Sequence, residues 1–231
     1  MAGVSRLQYA THTRLIRVMC SGRVDLAFIL RAFSNGMDGV FIGGCRLNEC
    51  NYITHGNYDA LSTVHICRKI MEHLGLNPER VRIEFMSSGE GILFTEVMND
   101  FAKNVMELGP LGTTEGIDEN GLKAKLDAAN KLVPYIKLVE RERLRAPLKS
   151  EETYNRFFGS DEVNKVFKEL IGDPLAITQI MALLRENTPV SNNEISQILG
   201  LNPTDVARHM NSSSKHGLVK YDENRKCFTP A

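Results

Sequence analysis

Cysteine is the residue type in this chain with the most scope for chemistry. Cys20 directly follows an apolar, strand-like run, RLIRVM, and Cys45 directly follows a second such run, GVFIGG. Cys50 belongs to the same loop as Cys45, with four residues between them. Because the carboxyl ends of parallel strands meet at one edge of a sheet, where open α/β proteins place their ligands, we expect these three thiols to converge.

Three converging thiolates would suit zinc or an iron–sulfur cluster. Gly22, Gly43 and Gly44 would leave room for backbone to approach a bulky group. The spacing alone leaves three interpretations open: a metal or cluster site, ordinary buried thiols, or a redox-active cysteine. The other two cysteines, Cys67 on the apolar face of a predicted helix and Cys227 near the C-terminus, are predicted to be small core residues.

The elements that would position these cysteines alternate between strands and helices before Pro110. The predicted strands are Arg14–Met19, Gly39–Ile42 and Val81–Met86, and the predicted helices are Val24–Phe33, Tyr58–Leu74 and Ile92–Leu108. Consecutive strand–helix units predict parallel strands joined by right-handed crossovers. Residues 1–110 are therefore predicted to form an α/β domain with a small doubly wound parallel sheet, flavodoxin-like in type.

Two further regions are predicted after this domain. Residues 111–172 are expected to be a helical linker, and residues 173–231 a winged-helix-like α+β domain. The predicted elements of the last region are a helix over LAITQIMALLRE, a second helix capped by Ser191, a third opened by Asn202 and Pro203, and a hairpin over Leu218–Phe228.

Composition narrows the classes of partner. Lysine plus arginine and aspartate plus glutamate both number 28, so no global field draws the chain to nucleic acid or to an anionic membrane. From Asp173 onward six positive side chains balance six negative ones, which disfavours nucleic-acid binding by the winged-helix-like region. No run approaches the roughly 20 apolar residues that span a bilayer. We therefore expect a cytoplasmic protein with reduced cysteines and no membrane partner.

Several short segments of the N-terminal half resemble the delta subunit of methyl-viologen-reducing hydrogenase. They are Val4–Tyr9, Ile16–Asp25 with its run VMCSGRVD, Gly44–Cys50, Gly56–Tyr58, Pro78–Arg82 and Ser88–Gly91. The segments occur in order, and the resemblance covers about residues 1 to 110.

The resemblance implies a non-catalytic electron-transfer subunit of an oxidoreductase complex. It implies a two-iron, two-sulfur cluster at Cys20, Cys45 and Cys50, which match the cysteine positions of the family, whereas Cys67 and Cys227 match none. Electrons would pass from a donor module of hydrogenase or formate dehydrogenase type to an HdrA-like protein, the flavin- and iron–sulfur-containing subunit of heterodisulfide reductase. Similar subunits accompany class II benzoyl-coenzyme A reductases.

One feature departs from the family pattern. Family members usually begin with a further strand ending in Cys-x-Trp-Cys, just before the segment that here starts at Met1, and this sequence contains no tryptophan. The cluster is therefore expected to be incomplete in the chain as given. We expect the gene to continue upstream with such a motif, and a selenocysteine codon read as a stop would explain a start placed at Met1.

Residues around the cysteines admit more than one role. Arg17 and Arg23 flank Cys20 and would either favour a thiolate or reduced cluster electrostatically or form surface salt bridges. His55 is predicted to be solvated rather than a ligand. An alternative function is a redox-sensing regulator, in which the cluster domain controls DNA binding by the winged helix.

Overall fold

The computed structural model describes residues 6–52, 55–186, 190–223 and 226–231. The described elements are α1 (Leu26–Ser34), β1 (Val40–Gly44), α2 (Asn57–Leu74), β2 (Val81–Phe85), α3 (Gly91–Leu108), α4 (Glu119–Arg143), α5 (Glu151–Gly159), α6 (Asp161–Phe167), α7 (Asp173–Glu186), α8 (Asn192–Leu199), α9 (Pro203–Lys215), β3 (Val219–Asp222) and β4 (Cys227–Pro230). The protein is thus mixed α/β and mostly helical. None of these described helices combines the length and apolar character needed to cross a membrane.

The parallel sheet has two strands in the described part of the chain. β1 pairs with β2 in register from Val40 opposite Val81 to Gly44 opposite Phe85, and α2 makes the crossover between them. The strands are short because glycines end β1 and a loop of small polar residues follows β2. This sheet provides the edge at which Cys45 emerges.

The predicted strand Arg14–Met19 is wrong. The segment has no regular structure, and Ile16 and Met19 are 86% and 89% exposed. Its apolar, partly β-branched sequence favours an extended backbone, but a strand is stable only when a neighbour pairs with it. The small parallel sheet is confirmed with two strands in place of three, and the flavodoxin-like arrangement stays a prediction.

The long helix α2 organises the N-terminal core and carries the site at its first turn. Its apolar side chains recur at helical spacing, and Val64, Cys67 and Ile70 are fully buried. The helix ends at Gly75, whose φ of 77° lies in the left-handed region that glycine adopts without strain. The predicted helix Tyr58–Leu74 is confirmed to within one residue.

The region predicted as a linker packs against this core. α4 lies along α1, with Ala129 and Ile136 fully buried between them, and one apolar cluster runs from Leu26 to Leu175. Helix α4 therefore contributes to the same core as the parallel sheet. The domain boundaries themselves stay predictions.

A buried arginine ties together three chain segments beside the sheet. The side chain of Arg80 is completely buried and donates to both carboxylate oxygens of Glu115, at 2.7 and 3.2 Å. It also donates to the carbonyl oxygens of Asp38, Leu108 and Gly109. Because these carbonyls include the last ones of α3, the guanidinium caps that helix and joins it to the start of β1.

The helices α6 and α7 form one rod interrupted by a π-helical turn over Lys168–Gly172. Pro174, the second residue of α7, has no N–H to donate. The wider π-helical turn before it avoids a clash between the proline ring and the carbonyl oxygen one turn earlier. The rod connects the main core to the C-terminal region.

The C-terminal region has its own apolar cluster, which includes Ile180, Leu184, Ile195, Val206 and Phe228. Helices α7, α8 and α9 are followed by the antiparallel pair β3–β4, and an isolated bridge joins Val190 to Phe228. Two start signals are confirmed. Ser191 forms a capping box with Glu194, and Asn202 caps α9 with Pro203 as the first helical residue. The predicted hairpin is present, although its residues 224 and 225 lie outside the described residues, and the winged-helix interpretation stays a prediction.

Candidate cysteine-ligated site

The structure brings the three predicted thiols together. Cys45 directly follows β1, as predicted, and the thiols of Cys20, Cys45 and Cys50 lie near enough to one another to affect each other's ionisation. Cys20, however, does not follow a strand, because it precedes a 3₁₀ turn over Ser21–Arg23 that packs against α2 and β1. The convergence therefore comes from that turn and not from a third parallel strand.

Two glycines allow this close approach. A Cβ built on Gly56 would lie 2.5 Å from the Sγ of Cys50 and 2.4 Å from the carbonyl oxygen of Tyr52. A Cβ built on Gly22 would lie 2.6 Å from the carbonyl oxygen of Gly56. The turn after Cys20 and the start of α2 thus touch through backbone atoms, which only glycine permits at these two positions. Gly43, also predicted to leave room, has no comparable contact: its nearest neighbour, an atom of Phe41, lies 3.8 Å from a built Cβ.

Asn57 holds the loop that carries Cys45. Its side chain is buried, and its Nδ2 donates to the carbonyl oxygens of Cys45 and Arg46, each at 2.9 Å. The same nitrogen lies 3.5 Å from the Sγ of Cys45. Sequence reasoning assigned no role to Asn57, although a Gly-Asn pair directly before a predicted helix was a usable signal. The residue fixes where the chain goes after β1 and hence where the Cys45 thiol lies.

The environment favours ionisation of one thiol of the set. Desolvation raises the pKa of Cys50, but the backbone N–H groups of Asn57 and Tyr52 and the thiols of Cys45 and Cys20 outweigh it, so the pKa lies below the usual value. The pKa of Cys45 is raised by desolvation, by its hydrogen bond to Cys50 and by the charges of Cys50 and Cys20. The N–H groups of Asn57, the first residue of α2, and of Tyr52 therefore stabilise a thiolate at Cys50 before one at Cys45.

A buried hydroxyl lies beside this set without a partner. The Oγ of Ser21 is buried and has no hydrogen-bond partner in the described structure, and it lies 3.1 Å from the position of a Cβ built on Gly44. A buried O–H without an acceptor is costly, and a sulfur atom of a bound cluster would provide one. This observation fits a thiolate-ligated group in the adjacent space.

The thiols do not by themselves complete a metal site. Among the described residues no group of three histidine, cysteine, aspartate or glutamate side chains is arranged to hold a metal ion. The three thiols are the soft donors that an iron–sulfur cluster uses, but such clusters generally take four protein ligands. The residues present therefore fit part of a cluster site.

Cys67 and His55 lie where their chemistry suggested, whereas Cys227 is less buried than a core residue. Cys67 is fully buried, and desolvation raises the pKa of its thiol to about 12, so it is an inert core residue. Cys227 is half-buried in β4. The ring of His55 is mostly exposed, and its Nδ1 lies 2.9 Å from Asp59.

An ion pair closes the sheet edge beside Cys45. Arg46 pairs with Glu90, whose carboxylate also accepts a hydrogen bond from the backbone N–H of Ser87. The hydrogen bond from Arg46 is the main reason that the pKa of Glu90 lies at about 2. The pair connects the loop after β1 to the loop after β2. By contrast, neither Arg17 nor Arg23 forms an ion pair with any described residue, so the expectation of salt bridges is not met there.

Comparison with known proteins places the N-terminal half in a family. Residues 1–109 match the family described as methyl-viologen-reducing hydrogenase, delta subunit. An F420-non-reducing hydrogenase iron–sulfur subunit of Archaeoglobus profundus is 46% identical over 110 residues, which are 48% of this chain and 80% of that protein.

A second kind of relative is much longer. The HdrA-type subunit of the Ferredoxin/F(420)H(2)-dependent CoB-CoM heterodisulfide reductase of Methanosarcina acetivorans is 43% identical over 113 residues. The match covers 49% of this chain and only 14% of that protein. The same segment thus occurs both within a large HdrA-type polypeptide and in a small iron–sulfur subunit. On these grounds the chain belongs to the family of delta subunits of methyl-viologen-reducing hydrogenase.

Proposed function

We propose that this chain is an electron-transfer subunit in which Cys20, Cys45 and Cys50 bind a two-iron, two-sulfur cluster. The observation that carries the proposal is the convergence of these three thiols at the carboxyl end of β1, in a chain of this family. Relatives named as iron–sulfur subunits support it. The cluster supplies one-electron chemistry, and the chain supplies ligands and a fixed position.

The chain's own residues would prepare this site. The backbone N–H groups of Asn57 and Tyr52 stabilise the Cys50 thiolate, and the Asn57 side chain holds the Cys45 loop. The Ser21 hydroxyl would donate to a cluster sulfur. A cluster with four protein ligands would need a fourth ligand besides these three thiols.

The partners follow from the two kinds of relative. The segment that matches this chain is part of the HdrA-type polypeptide in Methanosarcina acetivorans, where it is covalently joined to the rest of that protein. Proteins whose relatives are fused commonly act together. We therefore propose an HdrA-like acceptor that contains flavin and iron–sulfur clusters, or its counterpart in class II benzoyl-coenzyme A reductase. The donor would be a module of hydrogenase or formate dehydrogenase type.

We also keep the proposed division into an α/β domain over 1–110, a helical linker over 111–172 and a winged-helix-like domain over 173–231. The complex would operate in the cytoplasm. The chain would turn over no substrate itself, because its role ends with the transfer of electrons.

The test is anaerobic isolation of the protein followed by iron and sulfide analysis and by visible and electron paramagnetic resonance spectra. We expect Cys45→Ser to remove the visible absorption and the signal of the reduced cluster. Cys67→Ala is the matched control, since Cys67 is buried away from the site, and it should retain both. A Cys45→Ser protein with an unchanged spectrum would exclude this ligand assignment.

The order of α8, α9 and the β3–β4 hairpin favours one alternative, a redox-sensing DNA-binding regulator. Its charges argue against it, because Arg208 on α9 is already paired with Asp173 and Asp205. Electrophoretic mobility shift with promoter DNA tests the alternative. Retention that depends on Lys215, an exposed residue in the last turn of α9, would favour the regulator over the electron-transfer role.

A further inference from the structure

Asn57 lies between two of the three candidate ligands. It is the first residue of α2 and is only 1% exposed. Its Nδ2 lies 3.5 Å from the Sγ of Cys45, and its backbone N–H stabilises the thiolate of Cys50. The Sγ of Cys50 lies against the backbone at this point, because a Cβ built on Gly56 would be 2.5 Å from it. One residue thus directs a side-chain donor and a backbone donor toward two different sulfur atoms.

The side-chain amide of Asn57 is held firmly in this position. Its Nδ2 donates to the carbonyl oxygens of Cys45 and Arg46, each at 2.9 Å. An amide nitrogen has two hydrogens, so the contact with the Sγ of Cys45 is shared with one of these bonds. A thiolate bound to iron is more negative than a free thiol and attracts the donor more strongly. The donor is therefore in place before any group binds.

We propose that Asn57 raises the reduction potential of the cluster by donating hydrogen bonds to Cys45 and Cys50. Reduction brings one electron from the donor module and adds one negative charge to the site. Donors at the ligand sulfurs stabilise this more negative state. The N-terminus of α2 acts in the same direction, because the N–H groups of its first turn present a partial positive charge.

The proposal rests on the proposed electron-transfer function and deepens it, because the potential decides which donors can reduce the chain. Asn57 is then a positioning residue with a second role. It fixes the loop that carries Cys45, and it also determines how readily the site accepts an electron. The two roles are separable by experiment, because a loosened loop and a lost donor affect different measurements.

Tyr58 provides the control for a purely structural role. Its hydroxyl donates to the Oδ1 of Asn48 at 3.0 Å and so holds the loop between Cys45 and Cys50 from the same turn of α2. Asn48 has a φ of 69°, in the left-handed region, so this loop has a demanding backbone conformation. Tyr58→Phe removes the hydrogen bond to the loop and changes no charge.

Potentiometric titration of the anaerobic full chain, followed by the electron paramagnetic resonance signal of the reduced cluster, measures the effect. We expect Asn57→Ala to lower the equilibrium constant for reduction by at least about threefold, which for one electron is a fall of about 28 mV. Tyr58→Phe should stay within about 1.5-fold of the parent chain, or about 10 mV. The potential does not depend on how many molecules hold a cluster, so a lower iron content in Asn57→Ala does not mimic this result.

An unchanged potential in Asn57→Ala overturns the inference, and so does an equal fall in Tyr58→Phe. If Asn57→Ala binds no cluster, pulsed electron paramagnetic resonance of the parent chain decides, with asparagine labelled with ¹⁵N at the side-chain amide. We expect a ¹⁵N coupling to the reduced cluster. It should persist in Asn48→Gly and Asn51→Ala, which remove the two asparagines of the neighbouring loop. A parent chain without this coupling, or a coupling lost in either loop variant, also overturns the inference.

The two proposals fail in different ways. If the anaerobic parent chain shows no reducible cluster, the proposed function fails and the role of Asn57 fails with it. If the cluster is present and Asn57→Ala leaves the potential unchanged, only the role of Asn57 is wrong, and the assignment of the three cysteine ligands stands.

Discussion

We expect Arg80→Ala to lower the free energy of unfolding by about 3 to 5 kcal/mol, because the substitution leaves a buried carboxylate without its counter-charge. The Glu115 side chain is only 9% exposed. It would keep two backbone donors, the N–H groups of Asn77 and Gly112, at 3.2 and 2.9 Å. These remaining hydrogen bonds reduce the free-energy cost of leaving the Glu115 carboxylate without its counter-charge. The contribution of the carboxylate is therefore expected near the lower end of about 3 to 5 kcal/mol.

The rest of the expected loss of stability comes from the carbonyl oxygens that lose Arg80 as their donor. Arg80 donates at 2.8 Å to Gly109, at 3.1 Å to Asp38 and at 3.2 Å to Leu108. A buried polar group left unpaired costs about 1 to 3 kcal/mol, but water entering the space of the guanidinium would satisfy some of these oxygens. The contributions share one partner and are not additive, so a total of about 4 kcal/mol is expected.

The assay is urea unfolding of the full chain followed by circular dichroism, with hydrogen exchange of the α3 amides to locate the loss. In a thermal melt of the same chain, at about 2 to 4 °C per kcal/mol for this size, the melting temperature should fall by roughly 8 to 16 °C. Arg141→Ala is the matched control, because its ion pair with Glu142 is exposed on both sides and is worth at most about 1 kcal/mol. A loss below about 1 kcal/mol for Arg80→Ala would refute the reasoning from burial.

Three further predictions concern the core and the site. Burial lowers the pKa of His65 from 6.5 to about 4, so the unfolded chain binds the proton more readily than the folded chain does. The free energy of unfolding should therefore fall by roughly 2 to 3 kcal/mol as the pH drops from about 6.5 to 4. In the variant His65→Gln the urea midpoint should depend less on pH than in the parent chain. Asn57→Ala should free the Cys45 loop and lower the iron content without unfolding the chain, as metal analysis beside circular dichroism would show. Gly56→Ala should displace the Cys50 thiol and slow its alkylation by iodoacetamide at neutral pH, whereas unchanged kinetics would mean that the backbone contact is not required.

Structural features were predictable from the sequence wherever residues close together in the chain decide them. The helix α2 and its end at Gly75 follow from apolar periodicity and from the conformational freedom of glycine. The capping box of Ser191 and Glu194 needs only residues three apart. The loop with Cys45 and Cys50 was placed at a strand end because a short apolar run before glycines is itself a strand signal.

The sequence by itself determined helices α1 to α3 and α7 to α9, the strand before Cys45 and the family, because each depends on residues close together in the chain. Only the tertiary structure decided that Arg14–Met19 remains unpaired, since a strand forms only when a neighbour supplies its hydrogen bonds. It also decided the roles of Asn57 and Arg80, whose partners lie 11 to 42 residues away in sequence. A polar side chain does not reveal which distant carbonyl it will meet, because that depends on how the whole chain packs.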